Sequence, residues 1–357
     1  MNKINFKSKF SLFYKNDAHK LNYSETLPKE TINKNSTWFQ TMEPISYAKN
    51  QTKKLYEIDD ININELDSKI FRDLLFKNLK IQIDDHRELI KNKFLKTSDG
   101  SLNVGLNVIL IDSLLRVILK NSYFHIFGNI DYQFSLIAVG GYGRGELAPH
   151  SDLDILFLLP NKLIKNDTKK VESVIQLILY ILWDLGYTVG HSTRTINECI
   201  EKSKSDLTIL TSLLEKRFVS GNNEIYNLLN NEFKLFIDTS KTLDFVAAKL
   251  EESDTRHKRF GGSRYVVEPN VKDGKGGLRD LHTLIWISKF AYKVDTISKL
   301  IDLGALSKQE AVLFAEAQRF LLSVRCHLHY RAKREDDRLA MDAQLEIAKS
   351  MNFKNTV

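Results

Sequence analysis

The 357-residue chain has little cysteine: Cys199 and Cys326 only, and neither belongs to a C-x-x-C pair. That excludes a zinc site or dithiol motif built from cysteine, and both thiols read as reduced and structural, as in a cytosolic protein. Residues 1–19 carry basic side chains but no continuous apolar stretch and no small-residue cleavage site, so no secretory leader is expected. The longest apolar run reads as too short and too interrupted to span a bilayer, which points away from a membrane and toward the cytoplasm. The G-x-x-x-x-G-K-[ST] phosphate loop is absent. The net charge of +7 comes from scattered lysines, with no basic stripe interleaved with aromatics, so neither a nucleic-acid partner nor a template-directed polymerase is expected. What remains is a soluble globular composition, 43% hydrophobic and 27% charged, in a chain long enough for roughly two or three domains.

Texture changes along the chain. Residues 1–60 are polar and rich in Asn and Lys, and read as a poorly ordered extension with at most a short helix. Helical periodicity starts near Asn64, with Leu66, Ile70, Leu74, Leu75 and Leu79 as one apolar stripe. Asp99-Gly100 breaks it, and Ser101 is placed to cap a second helix to about residue 121. Residues 134–139 (FSLIAV) and 153–159 read as strands, joined by a Gly-rich connection. A helix over 168–185 and a third strand over 187–195 complete a small mixed sheet. From Ile196 onward the pattern is helical apart from a loop over 261–277 with five glycines, and Ser307 with Glu310 forms a capping box for a helix to about Lys333. The expectation is an α+β fold: a small mixed sheet with N-terminal helices over 61–220, then an all-helical domain over 221–357.

The chemistry is concentrated in residues 139–159, VGGYGRGELAPHSDLDILFLL. On a strand, residues two apart share a face, so Asp152 and Asp154 project together. Two such charges about 5 Å apart repel by roughly 3 kcal/mol at an effective dielectric near 20. An isolated D-x-D usually caps a turn or faces water. Behind Gly140, Gly141, Gly143 and Gly145, where backbone without Cβ allows a triphosphate to approach, the pair instead suits magnesium, a hard ion that prefers oxygen ligands. Arg144 and Ser151 add a positive charge and a hydroxyl.

This combination resembles the DNA-polymerase-β-like nucleotidyltransferase superfamily. More narrowly, residues 140–158 (GGYGRGELAPHSDLDILFL), 190–199 (GHSTRTINEC) and 268–286 (EPNVKDGKGGLRDLHTLIW) resemble the bifunctional uridylyltransferase/uridylyl-removing enzymes of bacterial nitrogen control, the PII uridylyltransferases, in the expected order over 64–350. The resemblance implies Asp152 and Asp154 as catalytic metal ligands for Mg2+, with Gly140, Gly141, Arg144, Ser151 and Arg194 facing the nucleotide. It implies attack by a tyrosyl hydroxyl of the PII signal protein on the α-phosphate of UTP, with release of pyrophosphate.

The chain departs from the pattern in places. The superfamily usually adds a third carboxylate on a later strand. Here that strand offers His191 and Arg194 instead, and Asp206 or Glu198 stand as alternatives. The Gly-rich segment 272–280 (KDGKGGLRD) opens a helix, either as a plain junction or as a loop that reaches the nucleotide or protein substrate. His327 and His329, two apart on a helix, are not expected to bind metal. No His-Asp dipeptide occurs, so neither uridylyl removal nor glutamine sensing is expected of this chain. The rival readings are a glutamine synthetase adenylyltransferase-like enzyme and a non-catalytic nucleotide-binding regulatory module.

Overall fold

The computed structural model describes residues 42–51, 58–61, 63, 67–163, 165–263, 265–294 and 297–353. Within residues 1–60, the described part holds helix α1 (Pro44–Gln51), which is packed rather than loose: Tyr47 and Ala48 are buried, and the Tyr47 hydroxyl donates to Asp99 at 2.8 Å. The rest of the expected extension lies mostly outside the described residues.

Helix α2 (Ser68–Thr97) begins where the Asp67 carboxylate accepts from the Lys69 and Ile70 amides, and Ser98, at φ 48°, ends it. Its buried side is Phe71, Leu75, Leu79, Ile83, Ile90 and Phe94. The expected stripe is therefore displaced. Ile70 and Leu74 are exposed, because a spacing of four from Phe71 faces the next helix and residues one step earlier turn outward. Leu66 lies outside the described residues.

Helix α3 (Gly100–Phe127) is capped by Asp99, which accepts from the Leu102 amide; Ser101, expected in that role, is buried inside the first turn. By length and composition α3 is apolar enough to cross a membrane, contrary to the sequence expectation. Its most apolar stretch is 89% buried inside the protein, as befits the central core helix that it is.

A four-stranded sheet follows, in the order β3-β2-β1-β4. It comprises β1 (Ser135–Ala138), β2 (Leu153–Leu159), β3 (Val189–Thr195) and β4 (Arg217–Gly221). The expected first and third strands are shortened at their ends, whereas β2 has its expected bounds. β4 was not anticipated in a stretch read as helical; it pairs antiparallel with β1. β1 and β2 are antiparallel, and β2 and β3 are parallel across α5 (Lys165–Asp184). A one-turn helix, α4 (Gly140–Arg144), links β1 to β2.

β2 is buried on both faces. Leu153, Ile155 and Phe157 join a core with α2, α3 and α5. Leu156 and Leu158 join a second core with α6 (Ile196–Ser205), α7 (Leu207–Leu214), α8 (Asn223–Thr239), α9 (Thr242–Arg259) and α10 (Leu278–Tyr292). Beyond α10 lie α11 (Ile297–Asp302), α12 (Lys308–Ala332) and α13 (Met341–Ser350). Ser307 and Glu310 form the expected capping box of α12. Both cysteines are free and buried.

Candidate active site

Alternation along β2 places Asp152 and Asp154 on the same face as Leu156 and Leu158, beyond the end of the second core. There a pocket of about 1290 Å³ opens, lined by the α4 turn, β3, α7, α9, α10 and the loop before α10. Asp152 is exposed in it and Asp154 half-buried. Neither carboxylate has a hydrogen bond or ion pair among the described residues. Burial and the Asp152 charge raise the Asp154 pKa, while Arg144 and Lys272 pull it back.

The Asp154 carboxylate is held between two glycines. A Cβ on Gly140 would lie 2.6 Å from its Oδ2, and one on Gly190, its neighbour across the parallel ladder, 2.6 Å from its Oδ1. Gly140 also has φ +58°, a conformation that favours glycine. The Gly-rich turn thus leaves space for a carboxylate as well as for a ligand. Ser151 lines the same pocket, and its hydroxyl is buried with no hydrogen-bond partner among the described residues. Gly141 and Arg194 also line it.

Arg144, expected to face the nucleotide, has carboxylate partners within the protein. It lines the pocket, but its guanidinium is buried between two carboxylates, with Nη1 donating to Glu215 at 2.5 Å and Nε to Glu146 at 3.2 Å. Burial opposes the charge, yet Glu215 and Glu146 raise the Arg144 pKa above its ordinary value. Burial likewise opposes ionisation of Glu146, but His282 and Arg144 hold its carboxyl well below the usual range. His282 Nε2 therefore donates to Glu146, at 2.7 Å, and burial together with Arg144 lowers its own pKa. Gln318 donates to the other Glu146 oxygen at 2.6 Å, and the Trp286 indole N–H donates to Glu215.

Sequence reasoning missed this cluster of Glu146, Glu215, His282, Trp286 and Gln318. Glu146, His282 and Trp286 stood inside the two most telling stretches, but nothing in the sequence showed that those stretches meet. A second tie runs through α12. The His150 amide, two residues before Asp152, donates to His329 Nδ1 at 3.3 Å, and His329 Nε2 lies 3.3 Å from Asp337, which also pairs with Arg325 at 2.7 Å. His327 bonds Ser98 at 3.0 Å.

The two candidates for a third carboxylate are engaged as helix caps. Glu198 closes the capping box of α6 with Thr195, and Asp206 accepts from the Thr208 and Ile209 amides at the start of α7. Among the described residues no group of three or more His, Cys, Asp or Glu is placed to hold a metal. The two unpartnered carboxylates on one face nevertheless fit a hard divalent cation, because each is an oxygen ligand whose charge nothing nearby neutralises in full. His191 points an edge contact toward Trp183 (centroids 6.3 Å apart) as well as lining the pocket. In the segment 272–280, Lys272 and Arg279 both line the pocket, and Gly277 starts α10.

Comparison with known proteins agrees with this fold. Residues 126–217 match the nucleotidyltransferase domain model, and residues 244–357 match the GlnD PII-uridylyltransferase model. A bifunctional uridylyltransferase/uridylyl-removing enzyme of Rhodospirillum rubrum is 43% identical over 301 residues, 83% of this chain and 32% of that protein. The chain belongs to the GlnD PII-uridylyltransferase family. Two further members of that description are similar: the enzyme of Novosphingobium aromaticivorans, 46% identical over 274 residues (74% of this chain, 29% of that protein), and that of Azospirillum brasilense, 43% identical over 289 residues (79% and 30%). The chain thus spans about a third of the length of its GlnD relatives. Nucleotidyltransferase domains of this class typically use a divalent metal.

Proposed function

We propose that this chain transfers UMP from UTP to a tyrosine of a PII signal protein in the bacterial cytoplasm, releasing pyrophosphate, with Asp152 and Asp154 as the ligands of Mg2+. The observation that carries the reading is the pair of carboxylates at the start of β2, Asp152 just before it and Asp154 within it, which line one pocket beside a Gly-rich turn and have no partner among the described residues. Bound magnesium supplies positive charge that stabilises both the attacking and the leaving oxygen. The chain's own part is positioning. Gly140 and Gly190 fix the Asp154 carboxylate from both sides. Gly141 presents backbone free of side chain, and the unpartnered Ser151 hydroxyl and the Arg194 guanidinium are available to phosphate oxygens. In the transfer, the tyrosyl oxygen forms a bond to the α-phosphorus as the bond from that phosphorus to the bridging β-phosphate oxygen breaks. The phenolic proton passes to solvent. The pocket volume of about 1290 Å³ exceeds the 300–1,000 Å³ usual for a small-molecule site, which leaves space for an acceptor segment beside a nucleotide. The division at residue 220 into nucleotidyltransferase and helical domains belongs to the same proposal, with the second hydrophobic core shared across it.

The test is incubation of the purified chain with PII protein, magnesium and labelled UTP or ATP. Label entering protein from UTP, and lost in Asp154→Asn, is the expected result. Label from ATP alone would replace this reading with an adenylyltransferase. No label from either, with nucleotide bound, would make the chain a non-catalytic module.

A further inference from the structure

The charged side chains around the pocket divide sharply by whether the protein already neutralises them. Arg144 is held by Glu146 and Glu215, Lys249 by Glu252 at 2.8 Å, and Lys272 by Glu335 at 2.7 Å. Arg256 is held by Asp280 at 2.5 Å, Arg279 by Asp273 at 3.3 Å, and Arg325 by Asp337 at 2.7 Å. Among the described residues, the charged pocket-lining side chains left without ion pair or hydrogen bond are Asp152, Asp154, Glu251, Arg194 and Arg259. Asp152 and Asp154 are the cation ligands proposed above. The two guanidiniums come from different parts of the fold: Arg194 from β3, and Arg259 from the last turn of α9.

We propose that Arg259, together with Arg194, forms a polyphosphate subsite that takes the β- and γ-phosphates of the nucleotide and then the pyrophosphate product. A pocket that leaves three carboxylates and two guanidiniums without ion pair or hydrogen bond among the described residues is matched by a ligand carrying both charges, a divalent cation on a polyanion. Guanidinium is the side chain best shaped to grip phosphate oxygens with two parallel hydrogen bonds. A basic residue in the last turn of a helix also offsets the helix dipole, but Arg256, His257 and Lys258 already lie in that turn, and the dipole does not require Arg259 to line the pocket. The helical region thereby contributes directly to the nucleotide site. The inference rests on the nucleotidyltransfer reading and adds a residue to it.

The experiment measures binding of inorganic tripolyphosphate with Mg2+ to the 357-residue chain by calorimetry, for wild type, Arg259→Gln, Arg259→Lys and Lys258→Gln. Lys258 lies in the same turn and does not line this pocket. Arg259→Gln is expected to weaken binding by about tenfold or more, Arg259→Lys by less, and Lys258→Gln by less than about twofold. Arg259 is exposed and unpaired, so unchanged thermal melting is expected of its variants. In parallel, the KM for UTP in PII labelling should rise in Arg259→Gln, with kcat less affected. Wild-type labelling of PII combined with unchanged tripolyphosphate affinity in Arg259→Gln overturns this inference alone. Equal weakening in Lys258→Gln also overturns it, because a general field rather than a subsite would then be at work. A wild-type chain that neither binds tripolyphosphate nor labels PII overturns both this inference and the reading beneath it.

Discussion

Two charged clusters share one pocket and differ in how far the protein neutralises them. In the first, Arg144, Glu146, Glu215 and His282 are buried and bonded to one another, with Trp286 and Gln318 completing the set. In the second, Asp152 and Asp154 sit on one face of a strand with no partner among the described residues, and burial and mutual repulsion raise the Asp154 pKa. A buried charge whose partner is built in serves to register the elements it joins. A charge pair left uncompensated costs stability, and is kept where a ligand completes it. Arg144 belongs to both descriptions: its place in the Gly-rich motif points to phosphate, and its pairing with Glu146 and Glu215 ties the turn to the rest of the protein.

The largest expected effect breaks the unpaired cluster. Asp152→Asn or Asp154→Asn should lower UMP transfer by roughly 10³-fold while leaving the thermal midpoint unchanged or higher, because a like-charge repulsion is relieved. Loss of folded protein on calorimetry in either variant would place these carboxylates in the structural class instead.

Breaking the paired cluster should do the reverse. Arg144→Met leaves Glu146 and Glu215 buried without their cation, and a stability loss of about 3–5 kcal/mol in urea unfolding is expected. Unchanged stability with a raised KM for UTP would place Arg144 in the nucleotide-binding set alone. A milder break of the same cluster is Trp286→Phe, which removes the donor to Glu215 and should cost about 1.5–3 kcal/mol.

The pH dependence of stability should follow the buried histidines. Burial lowers the pKa of His282, His327 and His329 in the folded chain. The unfolded chain, with histidine near about 6.5, then binds more protons as pH falls below that value. The stabilisation is complete above about pH 6.5 and declines below it, so thermal midpoints measured from about pH 8 down to about pH 5 should drop on the acid side. A flat profile would mean that these rings take up protons in place.

The smallest effect sharpens the geometry. In Gly190→Ala the new Cβ would lie 2.6 Å from the Asp154 carboxylate, which must shift. A loss of transfer of about tenfold with near-native stability is expected, since a displacement of the order of 1 Å at a reacting centre has larger effects on rate than on folding. Wild-type activity in this variant would show that the carboxylate tolerates movement.

Much of the site was legible because it is local. The two aspartates, the glycines ahead of them and the bounds of β2 lie within some twenty residues, and the period-two alternation that puts both carboxylates on one face is a property of any strand. The same holds for the Ser307–Glu310 capping box. Short-range signals failed where two residues competed for one role. Asp99 and Ser101 are both able to cap α3, and the carboxylate that precedes the first turn does so.

β4 was not legible. Arg217–Gly221 is short and only partly apolar, and its strand character comes from the ladder it makes with β1. α3 also shows how little composition decides by itself: a helix apolar enough for a bilayer is the core of this protein because α1, α2, α5, α12 and the sheet cover it. By itself, the sequence determined that Asp152 and Asp154 share a face just behind a Gly-rich turn, since backbone periodicity requires it. The tertiary structure alone decided which charges are neutralised from within, because the partners of Glu146 and Glu215 arrive from helices 136 and 71 residues away and no local rule reports a contact at that separation.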